Sequence, residues 1–277
     1  MDKFYPNDYY SYQTTASHGH FRNWIKNTKN AFALWGEGII GKIAYAIKPN
    51  LSLRMLKRLS LNKQQSILDV GCGVGLLIYD LKELGFERVV GIDPFLDHSI
   101  HYPNGLKVEK KQLDEMSDQW DLIMFHHSLE HMPDPVNTLK KVQSLLKPGG
   151  SCLIRVPVAD SAACEKYKEN WVQLDAPRHY HNFTTKGMKC LAEQAGLELA
   201  AHECDSTGFS FWGSEQYALD IPLHDQRSPW KNSNNSMFSS SQLRRFEQMA
   251  QQLNREGKGD ARAFFLKKPD HTSPFFN

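Results

Sequence analysis

Cysteine is scarce in this chain of 277 residues: Cys72, Cys152, Cys164, Cys190 and Cys204 are scattered, and no pair has C-x-x-C spacing. An odd, dispersed set excludes a disulfide framework and a zinc ribbon and reads as reduced thiols. Long hydrophobic runs are missing too. The greasiest stretch, residues 31–47, is broken by Glu37, Lys42 and three glycines, so it falls short of the roughly 18 to 20 apolar residues of a membrane span and reads as a helix in water or resting on a surface. An excess of one charge is absent as well: 33 Lys and Arg stand against 31 Asp and Glu, for a formal charge of +2. That balance gives no electrostatic case for a nucleic-acid binder and favours a small-molecule partner. The opening MDKFYPNDYYSYQ has no basic region followed by an apolar one, so export is not expected and a cytoplasmic setting is. No internal repeat is visible.

What the chain does contain is alternation. Short β-rich runs trade with helical patterns from about Gln65 to Asp205, the signature of βαβ units around a parallel sheet. Ser66–Val70, Arg88–Asp93, Leu106–Lys110, Asp121–His126, Cys152–Val156 and Leu197–Glu203 read as six strands, and Ala261–Lys267 as a seventh that returns late. Asp134 and Pro135 open a helix as N-cap and first-turn proline, its stripe running through Val136, Leu139, Val142, Leu145 and Leu146 until Lys147-Pro148-Gly149-Gly150 stops it. Leu77, Leu81 and Leu84 before Gly85, and Thr185 to Ala195 before Gly196, give two further helices. The expected division is an N-terminal helical cap over 1–62, a core over 63–206, a polar insertion over 207–259 with one helix near Gln242–Glu256, and a last strand with tail over 260–277.

ILDVGCGVG places Gly71, Gly73 and Gly75 between a predicted strand and a predicted helix, where bare backbone and a helix N-terminus meet a ligand. A dinucleotide fingerprint would need glycine at position 76, which is Leu76, so the spacing favours another nucleoside. Asp69 just before the loop suits a cationic ligand group and would repel a pyrophosphate. Asp93, at the end of the second strand, suits the two hydroxyls of a ribose. The bland alternative is a helix cap and a strand end.

Taken in order, ILDVGCGVG, VVGIDP, DLIMFHHSLEHMPDP, LLKPGG and CLIRVP closely resemble the class I S-adenosylmethionine-dependent methyltransferases over about residues 65–205. The stretch Trp171–Thr184, WVQLDAPRHYHNFT, resembles a small-molecule branch of that family, often found in polysaccharide or natural-product pathways. The resemblance implies a Rossmann-like α/β fold: a seven-stranded, mostly parallel sheet of order 3-2-1-4-5-7-6, last strand antiparallel, helices on both faces. It implies S-adenosylmethionine as cofactor and S-adenosylhomocysteine as product. Asp69, Gly71, Cys72, Gly73 and Gly75 would then meet the amino-acid portion, Asp93 the ribose, Pro94 or Phe95 an adenine face, Gln112 and Leu113 (or Asp114 beside them) the adenine edge, and His127 and Ser128 the methionine portion.

Methyl transfer needs an aligned, desolvated acceptor and, where the acceptor carries a proton, a base. His131 is the first choice for that base, with His179 and His181 next, because imidazole titrates near neutrality. Glu130, Trp171, Asp175, Arg178 and Tyr180 are the acceptor-binding candidates; Asp175 and Arg178 could equally pair to fix their loop, and Trp171 could equally be core. His127 to His131 also spells H-x-x-E-H, a zinc-peptidase pattern only inside a helix, and Met132-Pro133 leaves no helix for it. Ubiquinone-pathway O-methyltransferases resemble this stretch too, and some hold a divalent metal with E-x-x-E-H, but His127 stands where the first Glu would be. Glu130 and His131 remain available to a divalent metal, which is the minority reading; the expectation is a small-molecule acceptor methylated on oxygen or nitrogen, no nucleic acid and no membrane span. A catalytically silent cofactor-binding domain acting in an assembly is the alternative.

Overall fold

A computed structural model describes residues 20–232 and 236–270; the aromatic-rich start and the last residues of the expected tail lie outside them. The described residues fold as two compact units, one from residues 20–126, 141–152 and 270, the other from 127–140 and 153–269.

The first unit opens with α1 (His20–Trp35), α2 (Ile39–Ile47) and α3 (Leu51–Leu56), then β1 (Ile67–Val70), α4 (Leu76–Glu83), β2 (Val89–Ile92), β3 (Ile100–His101), β4 (Lys107–Glu109) and β5 (Trp120–His126). Every residue of β1 is buried, as an apolar strand with parallel neighbours on both sides must be. β1 pairs in parallel with β2 (Ile67 opposite Val89) and with β5 (Ile67 opposite Leu122). Gly85, at φ +93°, ends α4 in the left-handed conformation that glycine adopts without strain.

The residues of α5 (Pro135–Leu145) and β6 (Leu146–Pro157) are divided between the two units. Asp134 caps α5 through its Oδ1, which accepts the Asn137 amide at 3.0 Å, as the sequence predicts. The second unit adds α6 (Ala162–Tyr167), α7 (Thr185–Gln194), β7 (Glu198–Cys204), α8 (Phe209–Tyr217), α9 (Ser240–Arg255) and β8 (Ala261–Lys267). The sheet order is β3-β4-β2-β1-β5-β6-β8-β7, and β7 runs antiparallel to β8. Setting β3 aside, this is the expected seven-stranded order.

Three expectations need correction. The sheet has eight strands, because Gly105 (φ +82°) and the Tyr102 amide bonded to Leu106 O at 2.9 Å fold residues 100–101 back as an antiparallel edge on β4. The fifth strand is longer than the expected Cys152–Val156: α5 stops at Leu145, just before the expected stop at Lys147 to Gly150, and β6 already includes those residues, with Lys147 Nζ 2.6 Å from Asp121 Oδ2. Residues 207–259 carry a second helix, α8, which sequence reading misses because its buried face is Ser210, Phe211, Gly213, Ser214 and Gln216 and so shows no apolar stripe. Its serines are satisfied internally: Ser214 Oγ donates to Ser210 O at 2.7 Å and accepts the Val172 amide at 3.0 Å.

Trp171 belongs to the core of this second unit. It is 1% exposed and packs with Tyr167, Phe211 and Ala250, and its Nε1 donates to Asp260 Oδ2 at 2.9 Å. Asp260, itself buried, also accepts the Ser210 hydroxyl. Of the two readings of Trp171, core packing describes this geometry. Trp171→Phe strips a buried carboxylate of one donor and should cost about 1–3 kcal/mol in urea denaturation; an unchanged midpoint would contradict this role.

Candidate functional site

The glycine loop of the first unit follows β1. Gly71, Gly73 and Gly75 all have positive φ, 73°, 55° and 80°, a conformation that side-chain-bearing residues rarely hold. Asp93 ties the loop to the end of β2: its Oδ2 accepts the Gly73 amide at 2.9 Å and its Oδ1 the Phe95 amide at 2.9 Å. Tyr102, which sequence reading passes over, pins the far side by donating its hydroxyl to Val74 O at 2.7 Å. Space beneath the loop is tight, since a Cβ at Gly91 would meet Cys72 Sγ and Ile78 Cδ1 at 2.5 Å.

Asp69 is 3% exposed, and its Oδ1 has no hydrogen-bond partner. Burial, aided by the nearby Asp93, pushes its carboxyl up to about 7. Burial also raises Asp93, although the Phe95 and Gly73 amides hold it down. Two adjacent buried acids with an orphaned oxygen fit a ligand that brings its own positive charge and donors, which is the chemistry of an aminoacyl sulfonium nucleoside. Pro94 and Phe95 are exposed beside Asp93. Gln112 is exposed and caps a short turn with Glu115, its side chain accepting the Glu115 amide, so only a second lone pair is left for an adenine amine; Leu113 is the buried neighbour.

The second unit holds the histidines. A 3-10 turn over Leu129–His131 follows His127, whose φ is +54°. Burial and the Arg155 guanidinium hold the His127 imidazole down to about 4, so it is neutral at physiological pH. Arg155 is itself paired with Asp205. Ser128 is buried. Glu130 is 1% exposed, neither carboxylate oxygen has a hydrogen-bond partner, and burial raises its carboxyl.

The loop carrying the PRH segment is stitched to that turn by its backbone, the Tyr180 amide donating to Glu130 O at 2.9 Å. His131 Nδ1 lies 2.9 Å from Arg178 O, and His179 Nδ1 lies 2.8 Å from Gln173 O. A carbonyl accepts only from a protonated nitrogen, so each ring keeps Nε2 as its basic atom. The rings meet edge to face at 4.8 Å, and burial lowers the His179 imidazole. Ligand atoms of Glu130, His131 and His179 all lie within 4.8 Å of one another.

Asp175 pairs with Arg178 (Oδ1 to Nη2, 2.6 Å) and approaches His179 Nε2 at 3.6 Å, so the loop-fixing reading of that pair describes its geometry. His181 turns outward to Pro133 O at 3.3 Å and is absent from the three-residue cluster. Tyr180 is half exposed.

An acid kept neutral by its surroundings gives a stability signature. Asp69 has its folded value above its unfolded one, so it favours the fold most at low pH, and that contribution is lost as pH rises from about 4 to about 7. Asp69→Asn removes the buried charge; without ligand it should unfold about 1–3 kcal/mol later than wild type at pH 8, the gain shrinking towards pH 4. Equal gains at both pH values, by thermal or chemical denaturation, would contradict the burial of an ionisable group here.

The model of a methyltransferase domain family matches residues 41–202. A ubiquinone biosynthesis O-methyltransferase from Pseudoalteromonas translucida is 31% identical over 174 residues, spanning 56% of this chain and 72% of that protein. One of the same name from Pseudomonas fluorescens SBW25 is 34% identical over 97 residues, with 31% of this chain and 41% of that protein covered, so the match spans less than half of that relative. Among solved structures, the StiE O-methyltransferase domain (TM-score 0.50, 13% identity, 94% of this chain and 85% of that one) and the [4+2]-cyclase SpnF (0.51, 16%, 91% and 94%) share the fold. Strand order, glycine loop and family match agree: this chain belongs to the class I S-adenosylmethionine-dependent methyltransferases.

Proposed function

We propose that the chain methylates a hydroxyl oxygen of a small acceptor, with His131 as the base. The observation that carries the reading is the locked imidazole of His131, whose Nδ1 is committed to Arg178 O, which makes Nε2 the basic nitrogen of the ring. S-adenosylmethionine, when bound, supplies a methyl carbon already activated by its sulfonium. The chain's own residues then bind, orient and take a proton, which is all that an in-line transfer asks of them.

In this reading Asp69 receives the cationic amino-acid portion, and Asp93, its oxygens each still able to accept a second bond, receives the ribose hydroxyls. Pro94, Phe95, Gln112 and Leu113 flank adenine, and His127 and Ser128 the methionine portion. The glycine loop contributes bare amides, and Cys72, its thiol kept protonated by burial, contributes packing without charge. Asp175, Arg178 and Tyr180 receive the acceptor with Glu130, and His179 supports His131 as its edge-on neighbour. The chain's similarity to O-methyltransferases of ubiquinone biosynthesis supports oxygen over nitrogen, and a phenolic or other acidic hydroxyl suits an imidazole base. All five cysteines are unpaired, which supports a cytoplasmic, reducing setting. The helices within residues 207–259 are proposed to cover the acceptor.

One observation favours a second reading, the divalent metal that the sequence leaves as the minority expectation. Glu130, His131 and His179 form a carboxylate and two-imidazole cluster, and both imidazoles are anchored at Nδ1 by carbonyls, as metal-ligating histidines commonly are. Such a donor set suits zinc, iron or manganese better than magnesium and would acidify an acceptor hydroxyl. Dialysis against a chelator separates the readings: activity survives under the first and is lost, then restored by added metal, under the second.

His131→Ala should lower kcat by roughly 10²- to 10⁴-fold in S-adenosylhomocysteine release, with calorimetric affinity for S-adenosylhomocysteine unchanged. Undiminished turnover would exclude His131 as base. Affinity without turnover for wild type against every hydroxyl acceptor would favour the silent, assembly-acting domain.

A further inference from the structure

The first three helices carry a surface that methyl transfer does not use. α2 packs onto α1 through Gly41, where a Cβ would meet Thr28 O at 2.5 Å and Phe32 Cβ at 2.8 Å, and through the Tyr45 ring against Phe32 at 5.6 Å. A backbone approach that close fixes the pair as a rigid hairpin. On α2 the residues turned away from this seam are Ile39, Ile40, Ile43 and Ile47, which fall within an arc of about 100° at 3.6 residues per turn. They are among the most exposed large apolar side chains described, Ile39 at 81% and Ile47 at 80%. α1 adds exposed Phe21 and Trp24, stacked on one another at 6.0 Å.

The charge around this face is as uneven as its hydrophobicity. Residues 20–63 hold nine Lys and Arg against the single acid Glu37, whereas the whole chain holds 33 against 31, so the remainder is net acidic. Lys42 and Lys48, on α2 and at its end, are exposed, and Arg22, Arg54 and Lys57 are exposed on the neighbouring helices. Scattered apolar side chains are ordinary on a protein surface. An apolar arc with an aromatic pair, embedded in a strongly basic segment of an otherwise acidic protein, is the pattern of a helix lying in the headgroup layer of an anionic bilayer.

We propose that the α1–α2 hairpin is a membrane-interface element: the α2 isoleucines enter the acyl boundary of an anionic lipid surface while the surrounding Lys and Arg meet its headgroups. It lies in the interface without spanning, since no described helix is long and apolar enough to cross a membrane. Charge complementarity selects the occupant. A second copy of this chain would set one basic segment against another, and a nucleic acid would have no use for four exposed isoleucines.

The test is sedimentation of the full-length protein with vesicles of phosphatidylcholine alone and of phosphatidylcholine with about a quarter phosphatidylglycerol. Wild type should bind the anionic vesicles at least roughly tenfold more tightly than the neutral ones, with binding weakened in high salt. Ile43→Glu with Ile47→Glu changes only exposed positions, so it should keep the wild-type melting temperature and lose vesicle binding. Lys42→Glu with Lys48→Glu should lose the preference for anionic lipid. Absence of wild-type binding, or unchanged binding by the isoleucine variant, would overturn the proposal; so would an isoleucine-dependent dimer or binding to a DNA or RNA oligonucleotide in place of lipid. Binding is read without methyl transfer, so its failure and the failure of the catalytic reading remain distinct.

Discussion

One carboxylate organises the glycine loop. Asp93 gives one oxygen to the Gly73 amide and the other to the Phe95 amide, and so binds the turn after β1 to the turn after β2. Three successive alternate residues at positive φ would otherwise be the most mobile backbone of the first unit, because glycine has the most conformational freedom to lose. With the loop held, Asp69 stays buried beneath it with an oxygen unsatisfied. An unpartnered buried acid is unfavourable to the empty protein, and it is the feature best explained by a cationic ligand.

The second unit uses the same device with different groups. Backbone carbonyls of Arg178 and Gln173 fix the two imidazoles, the Tyr180 amide bonds the Glu130 carbonyl, and the Glu130 carboxylate is left without donors. Here too the unsatisfied atom marks where chemistry can occur. The fold itself does not specify that chemistry, since the [4+2]-cyclase SpnF shares it; the reading rests on the groups.

The sheet was legible in the sequence wherever burial is two-sided. Apolar runs such as Ile67–Val70 and Trp120–His126 are continuous because both faces are covered, and Ala261–Lys267, buried at six of seven positions, is found at its predicted bounds. The two-residue edge strand at Ile100 was not legible, because tertiary pairing and not its own pattern makes it a strand. Nor was α8, whose buried side is largely serine and glycine and is satisfied by hydrogen bonds to distant residues. At the site, Asp69, Asp93 and the glycines could be read from spacing, since their positions follow from a strand-turn-helix. Tyr102, which reaches Val74 by hydroxyl, and the meeting of His179 with Glu130 and His131 could not, because both depend on loops whose course no local pattern encodes. Trp171 carried two readings in the sequence, acceptor pocket and core, and its burial describes the second.

The central claim is that burial raises the Asp69 carboxyl to about 7 and that a cationic ligand ionises it, and calorimetry of S-adenosylmethionine binding in buffers of different ionisation enthalpy measures it directly. Ionisation of Asp69 on binding should release close to one proton per site at about pH 6 and almost none at about pH 8, either side of its value of about 7. Binding with no proton release at the lower pH would contradict the account.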